Sequence, residues 1–267
     1  MVGLAGTLAL IGAGGWWWTT SPTERTEAVS SLPLPPEPPR LGDGPDYDRC
    51  MAMLRDDADE ALRFAQAWDA RGGGEGARHC LALTMIGLGE PDRAAERLER
   101  LAGGSLSGNQ ARAAVFGQAA QAWMMAGEPD RAFAAVTIAL TLAPLDAELL
   151  MDRGVILASE RRYREALEDL DRVVALEPWR TEAHVFRAAA LRHLDQTEAA
   201  GEAVERALAT RPGNAEALLE RGILKQGRGD EAGARADWRL AAETAPDSMA
   251  ADLARRNLSL TEAEQRR

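Results

Sequence analysis

Lysine is almost missing from this chain: Lys225 is the only one, and every other basic residue is arginine. Aromatic residues make up 5%, too few for a surface that stacks nucleic-acid bases. Basic charge is short as well. The 31 basic residues face 42 acidic ones, for a net charge of −11. That balance argues against nucleic acid and against ionic adhesion to an anionic membrane, since both need a basic patch. Histidine occurs three times, at His79, His184 and His193, too few and too scattered for a metal site. His184 is expected to be a packed residue at a helix seam. The two cysteines, Cys50 and Cys80, form neither a CxxC pair nor a zinc spacing. No phosphate loop, nucleophile elbow or dinucleotide glycine pattern occurs, so the expected function is non-catalytic, with no cofactor and no metal.

Long uncharged stretches are also scarce, and one stands out. Val2 to Trp18 carries no charge and ends in Trp16-Trp17-Trp18. As a helix it would cover roughly 25 Å, the low end of a bilayer core. Tryptophans at one end suit the headgroup interface. Residues 1–20 are therefore expected to be a membrane anchor or, if cleaved, a signal sequence. Residues 21–45 follow as a linker dense in proline, Leu32-Pro33-Leu34-Pro35-Pro36-Glu37-Pro38-Pro39. Proline fixes φ and lacks the N–H for helix or sheet, so an extended, semi-rigid spacer is expected.

What the chain has in abundance is repetition. Pro144, Pro178, Pro212 and Pro246 are spaced by 34 residues each time. Ala120, Gly154, Ala188 and Gly222 keep the same period, and so do Ala132, Ala166, Ala200 and Ala234. A fixed period in this range is the mark of a repeat architecture. The first small residue lets the two helices of a hairpin approach closely; the alanine admits the next hairpin; the proline ends the second helix. Turns such as Gly127-Glu128-Pro129-Asp130 join the helices. Larger apolar residues, including Phe116, Trp123, Val136, Leu150, Leu157, Leu170, Phe186, Leu191, Val204, Leu218 and Trp238, are expected to fill the seams.

This pattern resembles the tetratricopeptide repeat (TPR) family over 113–146, 147–180, 181–214 and 215–248. Arg162-Tyr163-Arg164-Glu165-Ala166-Leu167 and Ala175-Leu176-Glu177-Pro178 look like that family's consensus. Arg161 and Asp195 depart from it where an inter-helix glycine is usual, and Lys225 where an aromatic is usual. The resemblance implies an all-α, right-handed superhelical solenoid of helix hairpins. Upstream, 46–72 and 75–108 read as degenerate repeats. Downstream, 249–260 reads as the capping helix an open solenoid needs, and 261–267 as a frayed tail.

In the repeat frame Cys50 and Cys80 fall on first helices of neighbouring hairpins. A disulfide is reasonable there in an exported domain, and two reduced, buried thiols are the alternative. The resemblance also implies a concave face lined by the fifth, ninth and twelfth residues of each repeat. Those are Gly117, Gln121 and Met124; Met151, Val155 and Ala158; Val185, Ala189 and Arg192; Leu219, Ile223 and Gln226. The Lys and Asn residues with which some members clamp a C-terminal carboxylate are absent. The expected groove residues are Met124, Met151, Val155, Val185, Ala189, Arg192, Leu219, Ile223 and Gln226, suited to a protein or peptide partner. The same side chains could instead pack against neighbouring first helices. Together these readings describe a scaffold or adaptor on the periplasmic side of a bacterial inner membrane, or soluble there after cleavage, in envelope assembly, secretion or protein maturation. The alternatives are a self-associating structural solenoid and a permanent accessory subunit of an envelope complex.

Overall fold

The computed structural model describes residues 40–265, with side chains to Thr261. The expected anchor at 1–20 and most of the linker lie outside the described residues. Thirteen α-helices and no strand occur among the described residues. Six hairpins follow one another: α1 (Pro45–Asp56) with α2 (Ala58–Ala70), α3 (Gly74–Gly87) with α4 (Pro91–Gly104), α5 (Asn109–Met125) with α6 (Pro129–Leu142), α7 (Ala147–Ser159) with α8 (Tyr163–Leu176), α9 (Thr181–His193) with α10 (Thr197–Thr210), and α11 (Ala215–Gly227) with α12 (Glu231–Thr244). The last helix, α13 (Met249–Gln265), packs on α11 and α12.

The local reasons repeat with the sequence. The second helices end at Leu142, Leu176, Thr210 and Thr244, two residues before each periodic proline. Asp57, Asp146, Asn214 and Asp230 cap following helices by accepting backbone N–H bonds. Between α1 and α2 Asp57 is extended, whereas inside the five hairpins from α3–α4 to α11–α12 the turn holds a left-handed residue. Gly89, Gly127 and Gly229 supply it at φ 79°, 76° and 83°, while Arg161 and Asp195 hold φ 61° and 58° at the equivalent positions. A side chain there costs about 1–2 kcal/mol in backbone strain, less for aspartate, whose short side chain tolerates it.

The small residues do close the hairpins. Ala120, Ala132, Ala166, Ala188, Ala200 and Ala234 have no exposed surface, and Gly154 and Gly222 are buried. A methyl placed on Gly154 would lie 3.1 Å from Leu170 Cγ and 3.5 Å from the Ala166 carbonyl. Ala166 thus serves the crossing within its own hairpin, not only the seam to the next one. Of the large residues expected in the seams, all but Phe186 are buried. Phe186 is 37% exposed.

Charge also crosses the hairpins from the inside. Arg153 holds the buried Asp169 with two bonds of 2.6 and 2.7 Å, and Arg221 holds the buried Asp237 with two of 2.9 and 2.8 Å. Lys225, at the position where an aromatic was expected, gives Asp237 a further contact at 2.8 Å. Such carboxylates are tolerable in a core only because they are paired and hydrogen-bonded.

At the N-terminal end, Cys50 on α1 is bonded to Cys80 on α3, with Cα atoms 6.3 Å apart. Beside it Tyr47 O–H donates to His79 Nδ1 at 2.8 Å, and His79 Nε2–H donates to Gln118 Oε1 at 2.6 Å, which ties α1, α3 and α5 together. Burial holds the His79 imidazole below its ordinary pKa, against the raising effect of the Gln118 bond. His184 is likewise buried, with Nε2 on the Pro178 carbonyl at 2.9 Å. Two ends differ from expectation. Pro45, placed at the end of the linker, is the first residue of α1, where a proline's missing N–H costs nothing. α13 continues past Leu260 to Gln265, and within it Thr261 is buried, its hydroxyl donating to the Asn257 and Leu258 carbonyls.

Ala166→Leu overfills the hairpin crossing and should lose about 1–3 kcal/mol in denaturant melts. Glu168→Ala, on the exposed face of the same helix, should stay within about 0.5 kcal/mol. Arg161→Gly relieves the left-handed strain and should gain about 0.5–1 kcal/mol after the entropy of glycine is subtracted. Equal losses at Ala166 and Glu168 would contradict the hairpin frame.

Candidate binding face on the first helices

Successive first helices touch one another: α1 meets α3, α5 meets α7, α7 meets α9, and α9 meets α11. Second helices make at most scattered contacts with each other. The free faces of the first helices thus lie together on one side of the stack.

The expected groove residues divide on this face. Val155, Val185, Ala189, Ile223 and Met124 are half-buried there, and Gln121 and Gln226 are exposed. Met151 and Leu219 are only 5% and 9% exposed and belong to the core between neighbouring first helices, as does Gly117, where an added methyl would strike Leu149. The fifth repeat position faces the next first helix more than the groove. Arg192 is half-buried and bonded to Glu220 of the next repeat, itself buried, so its charge is already matched.

The sixth repeat position, which the fifth–ninth–twelfth pattern passes over, carries the face instead. Gln118, Asp152, Phe186 and Glu220 occupy it at the 34-residue spacing. Gln118 receives His79; Asp152 accepts a bond from Gln121 Nε2 at 3.0 Å; Glu220 receives Arg192. Each of these bonds joins adjacent first helices. At the α7–α9 step this position holds Phe186, which makes no such tie. The polar bond there runs from Arg180, at the N-cap of α9, to Glu148 of α7. Beyond it the face is apolar: Val155 and Ala158 on α7, Val185, Phe186 and Ala189 on α9. The periodic polar residues at 118, 152 and 220 were a legible signal of this line.

A concavity of about 210 Å³ opens at the α5–α7 step, lined by Gln121, Met124, Asp152, Val155 and Ile156. Burial raises the Asp152 carboxyl to about 6, opposed by the Gln121 bond. A hollow of about 490 Å³ lies at the α1–α3–α5 end, beside Tyr47, His79 and Gln118, and the two largest, of about 840 and 830 Å³, lie off this face. One runs between the loop at Ser107–Ala111 and the turn at Leu142–Asp146. The other, between α10 and α11, is lined mostly by charged side chains, of which Glu205 and Arg221 pair with each other. Among the described residues no group of histidine, cysteine and carboxylate side chains could hold a metal, and no helix is long and apolar enough to cross a membrane.

No family model and no curated protein matches this chain. Solved structures do. MamA aligns with TM-score 0.54 and 19% identity over 61% of this chain and 94% of its own. PilF of Pseudomonas aeruginosa aligns with TM-score 0.62 and 16% identity over 78% and 93%. YrrB, described as a TPR protein with an unusual peptide-binding site, aligns with TM-score 0.53 and 19% identity over 72% and 96%. Identities this low speak to fold. With the 34-residue hairpins already in view, they show that this chain is built as a tetratricopeptide-repeat solenoid.

Proposed function

We propose that this protein is a non-catalytic scaffold that holds a segment of a partner protein on its first-helix face. The observation that carries the reading is the apolar stretch at the α7–α9 step, Val155, Ala158, Val185, Phe186 and Ala189. Its side chains stay half-exposed, in Phe186 37% exposed, while on the steps to either side the same repeat position carries a polar bond between first helices. An amphipathic helix or an extended apolar segment would cover it. The peptide-binding site named for YrrB supports the same use of the fold. Most of the binding energy comes from apolar burial, so added salt should weaken binding only modestly. The net charge of −11 favours neutral or basic partners over acidic ones.

Val155→Glu with Ala189→Glu places two charges on this face without entering a hairpin seam. Pull-down of envelope proteins with the folded double variant should lose the partners that the wild type retains. An unchanged partner set would move the contact to the second helices or the loop at 103–110.

The location we propose is the periplasmic side of a bacterial inner membrane, in envelope assembly, secretion or protein maturation. The disulfide between Cys50 and Cys80 supports export, because reducing compartments do not retain such bonds. Non-reducing mass analysis of native material should find the bond intact. Two free thiols would contradict the location.

One observation favours self-association as a second reading. α13 turns Met249, Leu253 and Leu260 outward at 79%, 41% and 57% exposure, an apolar stripe on the end of the stack. Light scattering on 40–267 should then show mass rising with concentration, and a mass fixed at the monomer would remove this reading.

A further inference from the structure

Three other half-buried or buried carboxylates of the first-helix and hairpin seams, Asp169, Asp237 and Glu220, each meet an arginine or lysine. Asp152 does not. Its one hydrogen-bond partner among the described residues is the neutral amide of Gln121, and its other surroundings in the concavity are Met124, Val155 and Ile156. The charged groups near it add anions or spent cations. Glu148 and Asp146 lie on its own side and are acidic; Arg180 is held by Glu148 and Glu177. Arg153, next in sequence, is turned to Asp169. From α5 the facing residues are neutral. On α9, Glu182 is paired with Arg211 and Arg187 with Asp171, and the residues of the facing register, Val185, Phe186 and Ala189, carry no charge.

We propose that this concavity is a subsite for a lysine or arginine side chain of a bound segment, its cation on Asp152 and its neighbouring apolar residues on Val155 and the α9 face. The proposal rests on the groove reading above and adds the chemistry that selects the ligand. A volume of about 210 Å³ suits one long side chain. A cation arriving there meets a carboxylate already stripped of much of its water, where a charge-assisted hydrogen bond is strong. The alkyl stem of the same side chain would lie along Met124 and Val155.

The protonation of Asp152 works in the same direction. Its folded-state value of about 6 lies above that of an unfolded carboxylate, so the folded chain takes up a proton between about pH 4 and pH 6. Above that window the bare carboxylate costs stability that an asparagine would not cost. A cation bound beside it offsets the cost, so affinity should be full near pH 7.5 and fall as the pH drops through about 6.

The test is a library of random peptides of about twelve residues, selected on the disulfide-bonded chain at about pH 7.5. Each recovered peptide is then measured against wild type, Val155→Glu and Asp152→Asn. Peptides lost on Val155→Glu should share a lysine or arginine inside an apolar run. For these, Asp152→Asn should weaken binding about tenfold. Lowering the pH to about 5 should cost wild type a similar factor and leave the asparagine variant unchanged. Norleucine in place of the peptide's lysine should lose the same factor on wild type and nothing further on Asp152→Asn. The asparagine keeps the Gln121 contact, so its melting temperature at neutral pH should equal or exceed that of wild type. A lower one would make Asp152 a structural residue and overturn the proposal. Peptides that depend on Val155 but carry no shared cation, or ignore Asp152→Asn, would overturn the subsite and leave the groove standing. A library with no Val155-dependent peptide would overturn the groove itself.

Discussion

Everything in this molecule depends on how closely two antiparallel helices approach at one point in every hairpin. A methyl on Gly154 would press on Leu170 at 3.1 Å, and one on Gly222 would overlap the Trp238 indole. That crossing sets the angle of the hairpin, and the angle sets how the next hairpin docks. A larger side chain at any such position would open one hairpin and tilt all that follow. The repeat therefore tolerates wide variation at exposed positions while the small residues keep their 34-residue register.

Polar bonds are laid over this apolar scheme at two levels. Within hairpins, Arg153–Asp169 and Arg221–Asp237 join first helix to second through buried carboxylates. Between hairpins, Tyr47–His79–Gln118, Gln121–Asp152 and Arg192–Glu220 join first helix to first helix. At the α7–α9 step the second series shifts to the helix starts, where Arg180 at the N-cap of α9 meets Glu148 of α7, and Phe186 stands where the other steps carry a polar residue. The buried core divides nearby: Ala183 and Ala190 of α9 pack with the upstream cluster, Ala188 and Leu191 with the downstream one. Apolar surface is thus left open where the face lacks that polar residue, and there a bound segment would add contacts of its own.

The fold was legible because its determinants are strictly periodic. The prolines and the two sets of small residues each have one physical job per repeat, and three classes in one register leave little room for another architecture. The left-handed backbone at Arg161 and Asp195 shows the register overriding local preference. The face was less legible. Met151 and Leu219 are apolar and occur at the expected spacing, but spacing cannot distinguish a side chain facing the groove from one pressed on the next first helix. Arg192 looked free for a ligand, since its partner Glu220 lies 28 residues away in the next repeat. Asp152, Phe186 and Glu220 were passed over because a mixed polar and aromatic line does not look like a binding surface until the helices are stacked. The ends of the domain depended on single residues, Pro45 and Thr261, where no period helps.

The central claim is that the first-helix face at the α7–α9 step is the working surface. Carbene footprinting reads side-chain exposure directly, residue by residue, with and without a saturating groove-selected peptide. The account predicts that labelling falls at Met124, Val155, Val185 and Phe186 and is unchanged on the exposed residues of α8 and α10. Protection of α8, α10 or the loop at 103–110, with the first helices still fully labelled, would contradict it.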